Sequence, residues 1–218
     1  GMSHALADFN ADGRIDFYLV GMSSTTARRL ERMGLARDDR PNISRMRMRM
    51  GYGNRMYLAS EETFVEPQFA EQNSQLARTG WSWGCTAADF DNDADRDIYV
   101  VNGNRSGESA RDYCTNFWRH DIYTNDSRAN ASRAKVFAAT FEPLKNLEIS
   151  WNGYEHNVLL LNERQRGFVD VGFLLGVGLE VDGRIAVSDD LDGDGRIDLL
   201  TIDNKLLPHS RVKQTLRV

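Results

Sequence analysis

Three times in its 218 residues the chain repeats a nine-residue frame with Asp or Asn at the first, third, fifth and ninth places. The copies are DFNADGRID, with Asp8, Asn10, Asp12 and Asp16; DFDNDADRD, with Asp89, Asp91, Asp93 and Asp97; and DLDGDGRID, with Asp190, Asp192, Asp194 and Asp198. Like charges this close repel one another, so a fold that holds them together needs a compensating positive charge. The first, third, fifth and ninth side chains of a tight loop can turn their oxygens to one centre. The sixth place makes the sharp turn, and the seventh, Arg14, Asp95 or Arg196, can add a main-chain carbonyl. Hard oxygen donors of this kind suit calcium, with up to three ions in the chain. A single acidic run reads as a solvated turn. Three copies in one frame point to a repeat.

Each frame is preceded by a small or apolar segment (ALADF, CTAADF, RIAVSDD) and followed by a strand-like one (RIDFYLV, RDIYVV, RIDLLTI). The unit is therefore strand, metal loop, strand. EF-hands are excluded, because they need a bidentate Glu at position twelve and flanking helices, whereas position twelve is Leu19, Val100 or Thr201. Within the frames, Asn10 weakens the first site and Ala94 replaces the turn glycine of the second, so the third site is expected to be the best formed.

A second recurrence precedes the later loops: GYGNRMYLASEETFVEPQF from Gly51 and GYEHNVLLLNERQRGFVDVGF from Gly153, each predicting strand, turn, strand. Strand, turn, strand and metal loop thus recur in register, which predicts an all-β chain of antiparallel repeats forming one domain over residues 1–218. The loops fall near 4–21, 85–103 and 184–204, and the variable spacing between them marks insertions at 22–50 and 104–150. In the first insertion a short helix is predicted from Ser24 to Met33, with a Ser24 or Thr25 cap and Gly34 as its stop. From Arg45 to Met50 arginine and methionine alternate, which predicts an edge strand with Met inward and Arg in water. The alternative there is a patch for an anionic glycan or lipid headgroup. In the second insertion Tyr113, Phe117, Trp118 and Tyr123 lie beside Arg119, His120 and Asp121, a packed loop by the ordinary reading and a carbohydrate platform or catalytic pocket by the alternative. Trp81 and Trp83 are placed on one face of an extended segment as a core wedge.

Composition is that of a globular protein, with 41% hydrophobic and 27% charged residues, and neither a membrane span nor a nucleic-acid signature is visible. Three divalent ions would bring the formal charge of −5 close to neutrality, so the acidity reads as metal demand. No signal peptide is visible in the start GMSH, which has no charged or apolar leader region, and Gly1 before Met2 looks like the remnant of a cleaved tag. Calcium at the levels such loops are tuned to is found outside the cytoplasm, which predicts an extracellular or periplasmic setting. Cys85 and Cys114 could there form a disulfide worth ~3 kcal/mol. Free thiols are preferred, because the repeat does not fix their proximity.

The segments ADFNADGRIDFYLVG, AADFDNDADRDIYVVNG and SDDLDGDGRIDLLTIDN resemble the FG-GAP or VCBS repeats of integrin α-subunit-like β-propellers. With GWSWG, GNRMYL and FVDVGF, the wider pattern is similar to the bacterial branch related to cartilage acidic protein, whose propellers often precede an ASPIC and UnbV domain. The resemblance implies four-stranded blades with calcium in the loop joining the first two strands of each. Its ligands would be Asp8, Asn10, Asp12 and Asp16; Asp89, Asp91, Asp93 and Asp97; Asp190, Asp192, Asp194 and Asp198; and the carbonyls of Arg14, Asp95 and Arg196. Seven blades are usual in the family, so about three to four here imply a partial propeller, as in a fragment, or one completed by a second copy in a homo-oligomer. The implied function is calcium-dependent adhesion or binding of protein or glycan partners without catalysis. The alternatives are an enzyme domain acting on polysaccharides or esters, with His120 and Asp121 in its pocket, and a structural spacer for a missing domain. No serine elbow, zinc motif, phosphate loop or dinucleotide loop is present in the sequence.

Overall fold

The computed structural model describes residues 1–34, 41–67, 74–103, 131–132, 134–135, 138–139, 155–207 and 211–217. These residues are mostly β. The elements are β1 (Ser3–Ala7), β2 (Asp16–Val20), α1 (Thr25–Arg32), α2 (Pro41–Met50), β3 (Arg55–Ala59), β4 (Phe64–Val65) and α3 (Ser74–Ala77), followed by β5 (Ser82–Ala88) and β6 (Asp97–Asn102). Beyond the second insertion come β7 (Val158–Asn162), β8 (Phe168–Asp170), β9 (Asp182–Asp189), β10 (Asp198–Leu207) and β11 (Arg211–Arg217). They form three antiparallel meanders in chain order: β1-β2-β3-β4, β5-β6-β7-β8 and β9-β10-β11. Every aspartate frame closes the first hairpin of its sheet, and each GY segment supplies the predicted strand, turn and strand as the third and fourth strands of the sheet begun by the preceding frame, not the following one.

The sheets stack with β5 packed between β1 and β9. Side-chain alternation along β6 explains how the middle sheet serves two interfaces. Ile98 and Val100 join Tyr18, Val20, Met56, Leu160 and Phe168 in the core against the first sheet. Tyr99 and Val101 pack with Leu159, Ala186 and Leu199 against the third. All six residues of β6 are buried, which accounts for its nearly unbroken apolar run. Close approach of the second and third sheets depends on glycine. A Cβ on Gly84 would lie 2.8 Å from the Arg184 carbonyl oxygen, and one on Gly103 2.6 Å from Asp182 Cα.

The helix predicted after Ser24 is present. The Ser24 hydroxyl accepts the Ala27 N–H at 3.1 Å, and Gly34 follows the helix at φ +68°. The strand expected over Arg45–Met50 is instead the second half of α2. Arginine and methionine are both strong helix formers, so their alternation carries little strand preference, and Pro41 is suited to the first helical turn. The expected facing is also partly inverted: Met46 and Met50 are exposed, while Arg47 is buried and reaches Glu31 of α1 at 3.2 Å. The cationic strand face therefore does not exist.

Trp81 and Trp83 do not share a face either. The β5–β6 register shifts between Ser82 and Gly84, leaving Trp83 at a bulge. Trp81 packs against Ala27 and Leu30, while the Trp83 indole N–H donates to the Gly103 carbonyl and its ring lies under the Arg184 guanidinium, 4.4 Å from ring centre. Cys85 is a buried free thiol whose pKa is raised to about 12 by burial. Cys114, with the aromatic cluster and His120 and Asp121, lies outside the described residues.

The two-sided middle sheet carries more of the buried apolar side chains than either neighbour among the described residues, so its truncation is expected to dominate stability. Leu160→Ala should lower the unfolding free energy by about 2–5 kcal/mol. Leu6→Ala, on the exposed face of the first sheet, should change it by no more than about 0.5 kcal/mol. Urea unfolding followed by tryptophan fluorescence compares the two.

Candidate metal-binding loops

The three loops share one hydrogen-bonding scheme built from the acidic side chains themselves. The first carboxylate accepts the N–H groups of the fifth and sixth residues: Asp12 and Gly13 donate to Asp8 at 3.1 and 2.7 Å, Asp93 and Ala94 to Asp89 at 3.0 Å each, and Asp194 and Gly195 to Asp190 at 3.0 and 2.9 Å. The third side chain accepts the fifth N–H, and the fifth accepts the seventh, from Arg14, Asp95 and Arg196 at 2.9 Å. Such short-range acceptors hold a tight turn that has no ladder of its own.

This winding forces the fourth and sixth residues to positive φ. They are Ala11 and Gly13 (+57° and +83°), Asn92 and Ala94 (+60° and +72°), and Gly193 and Gly195 (+77° and +84°). Only the third loop has glycine at both places, so it alone adopts the turn without side-chain strain. Ala94 takes the left-handed conformation despite its Cβ.

The ninth aspartate has a different task. Asp16 accepts the Phe9 N–H at 2.9 Å on one oxygen and the Ala59 N–H from β3 at 2.7 Å on the other. Asp97 repeats this with Phe90 at 2.8 Å and Asn162 of β7 at 2.9 Å. Both are buried, and each fastens the loop to the third strand of its sheet. Burial pushes the pKa of Asp97 up to about 6 against the pull of its two N–H donors, and Asp16 is raised for the same reason. Asp198 accepts the Leu191 N–H at 3.0 Å.

Two aspartate triads could hold a metal ion. Asp89, Asp91 and Asp97, and Asp190, Asp192 and Asp194, each bring three carboxylate oxygens within 4.8 Å of one another. No further group of three acidic, histidine or cysteine ligands of this kind occurs among the described residues, so Asp8, Asp12 and Asp16 are not gathered in the same way; the third place there is the amide Asn10, whose Nδ2 donates to Asp12 Oδ2 at 3.1 Å.

The position-seven residue sets the local charge. Arg14 pairs with Asp12 at 3.1 Å, and Arg196 pairs with Asp194, holding its carboxyl below the usual range. In the second loop position seven is acidic, and Asp95 takes its cation from outside the frame, from Arg164 just after β7. Burial and the neighbouring Asp93 charge raise Asp91. Arg96, at position eight, makes no ion pair with Asp93, so Asp93 has no arginine partner of the kind Arg14 and Arg196 provide in the other loops.

Sequence reasoning identified the acidic frame but not its anchors. Asn162 joins two repeats: its N–H donates to Asp97, while its side-chain amide donates to the Phe9 carbonyl of the first loop at 2.9 Å and to the Arg96 carbonyl at 3.3 Å. Arg164 was foreshadowed only by the substitution of an acid at position seven. No family model and no curated protein matches this chain.

If the left-handed turn is the main strain in the second loop, Ala94→Gly should stabilise the protein by about 0.5–1 kcal/mol. Gly195→Ala, at the equivalent place in the third loop, should cost about 1–2 kcal/mol. Both are read from chemical unfolding midpoints at fixed divalent-ion concentration.

Proposed function

We propose that the chain is a calcium-stabilised repeat module of the FG-GAP/VCBS kind, a partial β-propeller with each meander as a blade, acting outside the cytoplasm in adhesion or in binding a protein or glycan. The observation that carries this reading is one loop geometry repeated at the first hairpin of three stacked meanders. Two of those loops gather carboxylate triads. The donors are oxygen only, which favours calcium over softer metals. Asp8, Asn10 and Asp12 would complete a weaker first site, and the carbonyls of Arg14, Asp95 and Arg196 would add ligands. No helix among the described residues is long and apolar enough to cross a membrane.

Calcium in this role stabilises the fold instead of performing chemistry. A cation that binds only the folded chain contributes about 2.7 kcal/mol per site at a hundredfold excess over its dissociation constant. Melting temperature should therefore rise with calcium and fall with chelator, and Asp194→Ala should lose more of the calcium-dependent stability than Asp12→Ala. An unmoved melting temperature on chelation would remove the physical basis for the reading. Incubation with a glycan array and a hydrolase panel then separates binding from the alternative enzymatic function: binding without turnover supports the module, and turnover overturns it.

The buried carboxyl of Asp97 gives a pH test. Its raised pKa means that the folded, metal-free chain holds this proton more readily than the unfolded chain. That contribution to stability is full below about pH 4 and is lost as the pH rises through about 6. A cation at the second loop competes with the same proton, so calcium affinity should weaken as the pH falls through about 6. Calorimetric titration at pH values on either side of 6 measures it, and an affinity independent of pH would exclude Asp97 as a ligand.

A further inference from the structure

The three sheets stack through two non-identical faces, and each end of the stack leaves one of those faces open. Equivalent places are fixed by the ninth aspartates Asp16, Asp97 and Asp198, which begin β2, β6 and β10. The first and third residues after that aspartate face the preceding sheet: Ile98 and Val100 pack on the first sheet, and Leu199 packs on the second. The second and fourth face the following sheet: Tyr18 and Val20 pack on the second, and Tyr99 and Val101 on the third.

By the same rule Phe17 and Leu19 of the first sheet face a place where a preceding sheet would lie. Their registered neighbours Leu6 and Tyr57 share that face, and the Phe17 ring stacks on Tyr57 at 4.7 Å and meets Phe64 edge-on at 5.0 Å. Phe64 is 50% exposed and Leu6 61%, whereas Phe168, which holds the place of Phe64 in the middle sheet, is 2% exposed beneath the first sheet. At the opposite end Leu200 and Ile202 pair directly with Val187 and Ile185, which are 47% and 50% exposed. Their equivalents Tyr99 and Val101 are fully buried against the third sheet.

The geometry points to a second copy of this chain as the occupant: the open face of the third sheet in one molecule docks on the open face of the first sheet in another. Each internal interface already joins a face of the one kind to a face of the other, so the contact between copies repeats the packing by which β5 sits against β1 and β9 against β5. Two faces of the same kind have no such precedent in the molecule, and the contact is therefore head-to-tail, closing into a ring or extending as a chain of copies. It rests on the stacking of the sheets and not on cation binding.

Sedimentation of the full chain over a range from low to high micromolar tests this, with one lysine placed on each open face. Wild type should associate to dimers or larger species as concentration rises. Leu6→Lys and Ile185→Lys should each be monomeric alone, and an equimolar mixture should form a species of two chains and no larger, because each variant keeps the face the other lacks. Phe64→Lys and Val187→Lys serve in place of either variant whose circular dichroism or melting temperature departs from wild type. A wild type that stays monomeric throughout, a single-face variant that associates as wild type does, or a mixture that remains monomeric would each overturn the proposal.

Discussion

The arrangement of each complete repeat depends on one buried carboxylate. Asp16 and Asp97 use one oxygen to close the loop on its second residue and the other to hold the third strand. An ionised carboxylate in such a place costs free energy unless its acceptor sites are filled, and here two main-chain N–H groups fill them. Loop, hairpin and third strand are consequently fixed by one side chain. Removing it would release three elements together instead of loosening one turn. The raised pKa of Asp97 is the residue of that balance: burial outweighs the two donors.

Around this clamp the remaining acidic groups solve two problems at once. Their first acceptors wind the turn, taking N–H groups that no strand could satisfy. In the second and third loops carboxylate oxygens then converge, which is favourable only with positive charge nearby. The first and third loops supply part of it from their own Arg14 and Arg196, whereas the second recruits Arg164 to Asp95; burial first, and neighbouring carboxylates second, raise Asp91 and Asp97 there. Where a position-seven arginine pairs with the fifth carboxylate, a cation reaching Asp12 or Asp194 must compete with that partner. The second loop has no such competitor at Asp93. The third loop is instead favoured by its two turn glycines. Backbone ease and charge demand are thus divided between different loops.

Much of this was legible in the chain because it rests on local spacing. The frame located every loop, and the β-branched runs beside it located the first hairpin of every sheet. The cap at Ser24 needed only one hydroxyl at the right place. What was misread depended on a local bulge, on helix propensity, or on groups distant in sequence. The alternation over Arg45–Met50 looks like a strand until Arg47 is seen buried beside Glu31 in another helix. Trp81 and Trp83 look like neighbours on one face until the bulge between Ser82 and Gly84 sends them to different partners. The anchoring of Asp97 could not be read either, since the N–H it accepts from Asn162 lies 65 residues away and belongs to no motif.

Asn162 shows why the repeats act as a unit instead of as separate hairpins. Its main chain completes the clamp of the second loop while its side chain holds the Phe9 carbonyl, and the Phe9 N–H is in turn held by Asp16. Phe9 also meets Phe168 edge-on, with ring centres 6.4 Å apart, in the core between the first two sheets. The first loop is therefore packed and hydrogen-bonded to the second sheet. Order imposed on either loop is carried to the other through a chain of buried bonds, and not through the solvent. Between the second and third sheets the polar links include the Thr86–Ser188 hydroxyl pair at 2.6 Å and the Arg184 guanidinium, which donates to the Gly103 carbonyl at 2.8 Å; neither involves an aspartate loop. Between the first two repeats one polar link runs through an aspartate loop and its clamp, and the links named between the second and third do not. This places the tightest coupling of loop to neighbouring sheet at the junction whose first loop has the weakest acidic cluster of its own.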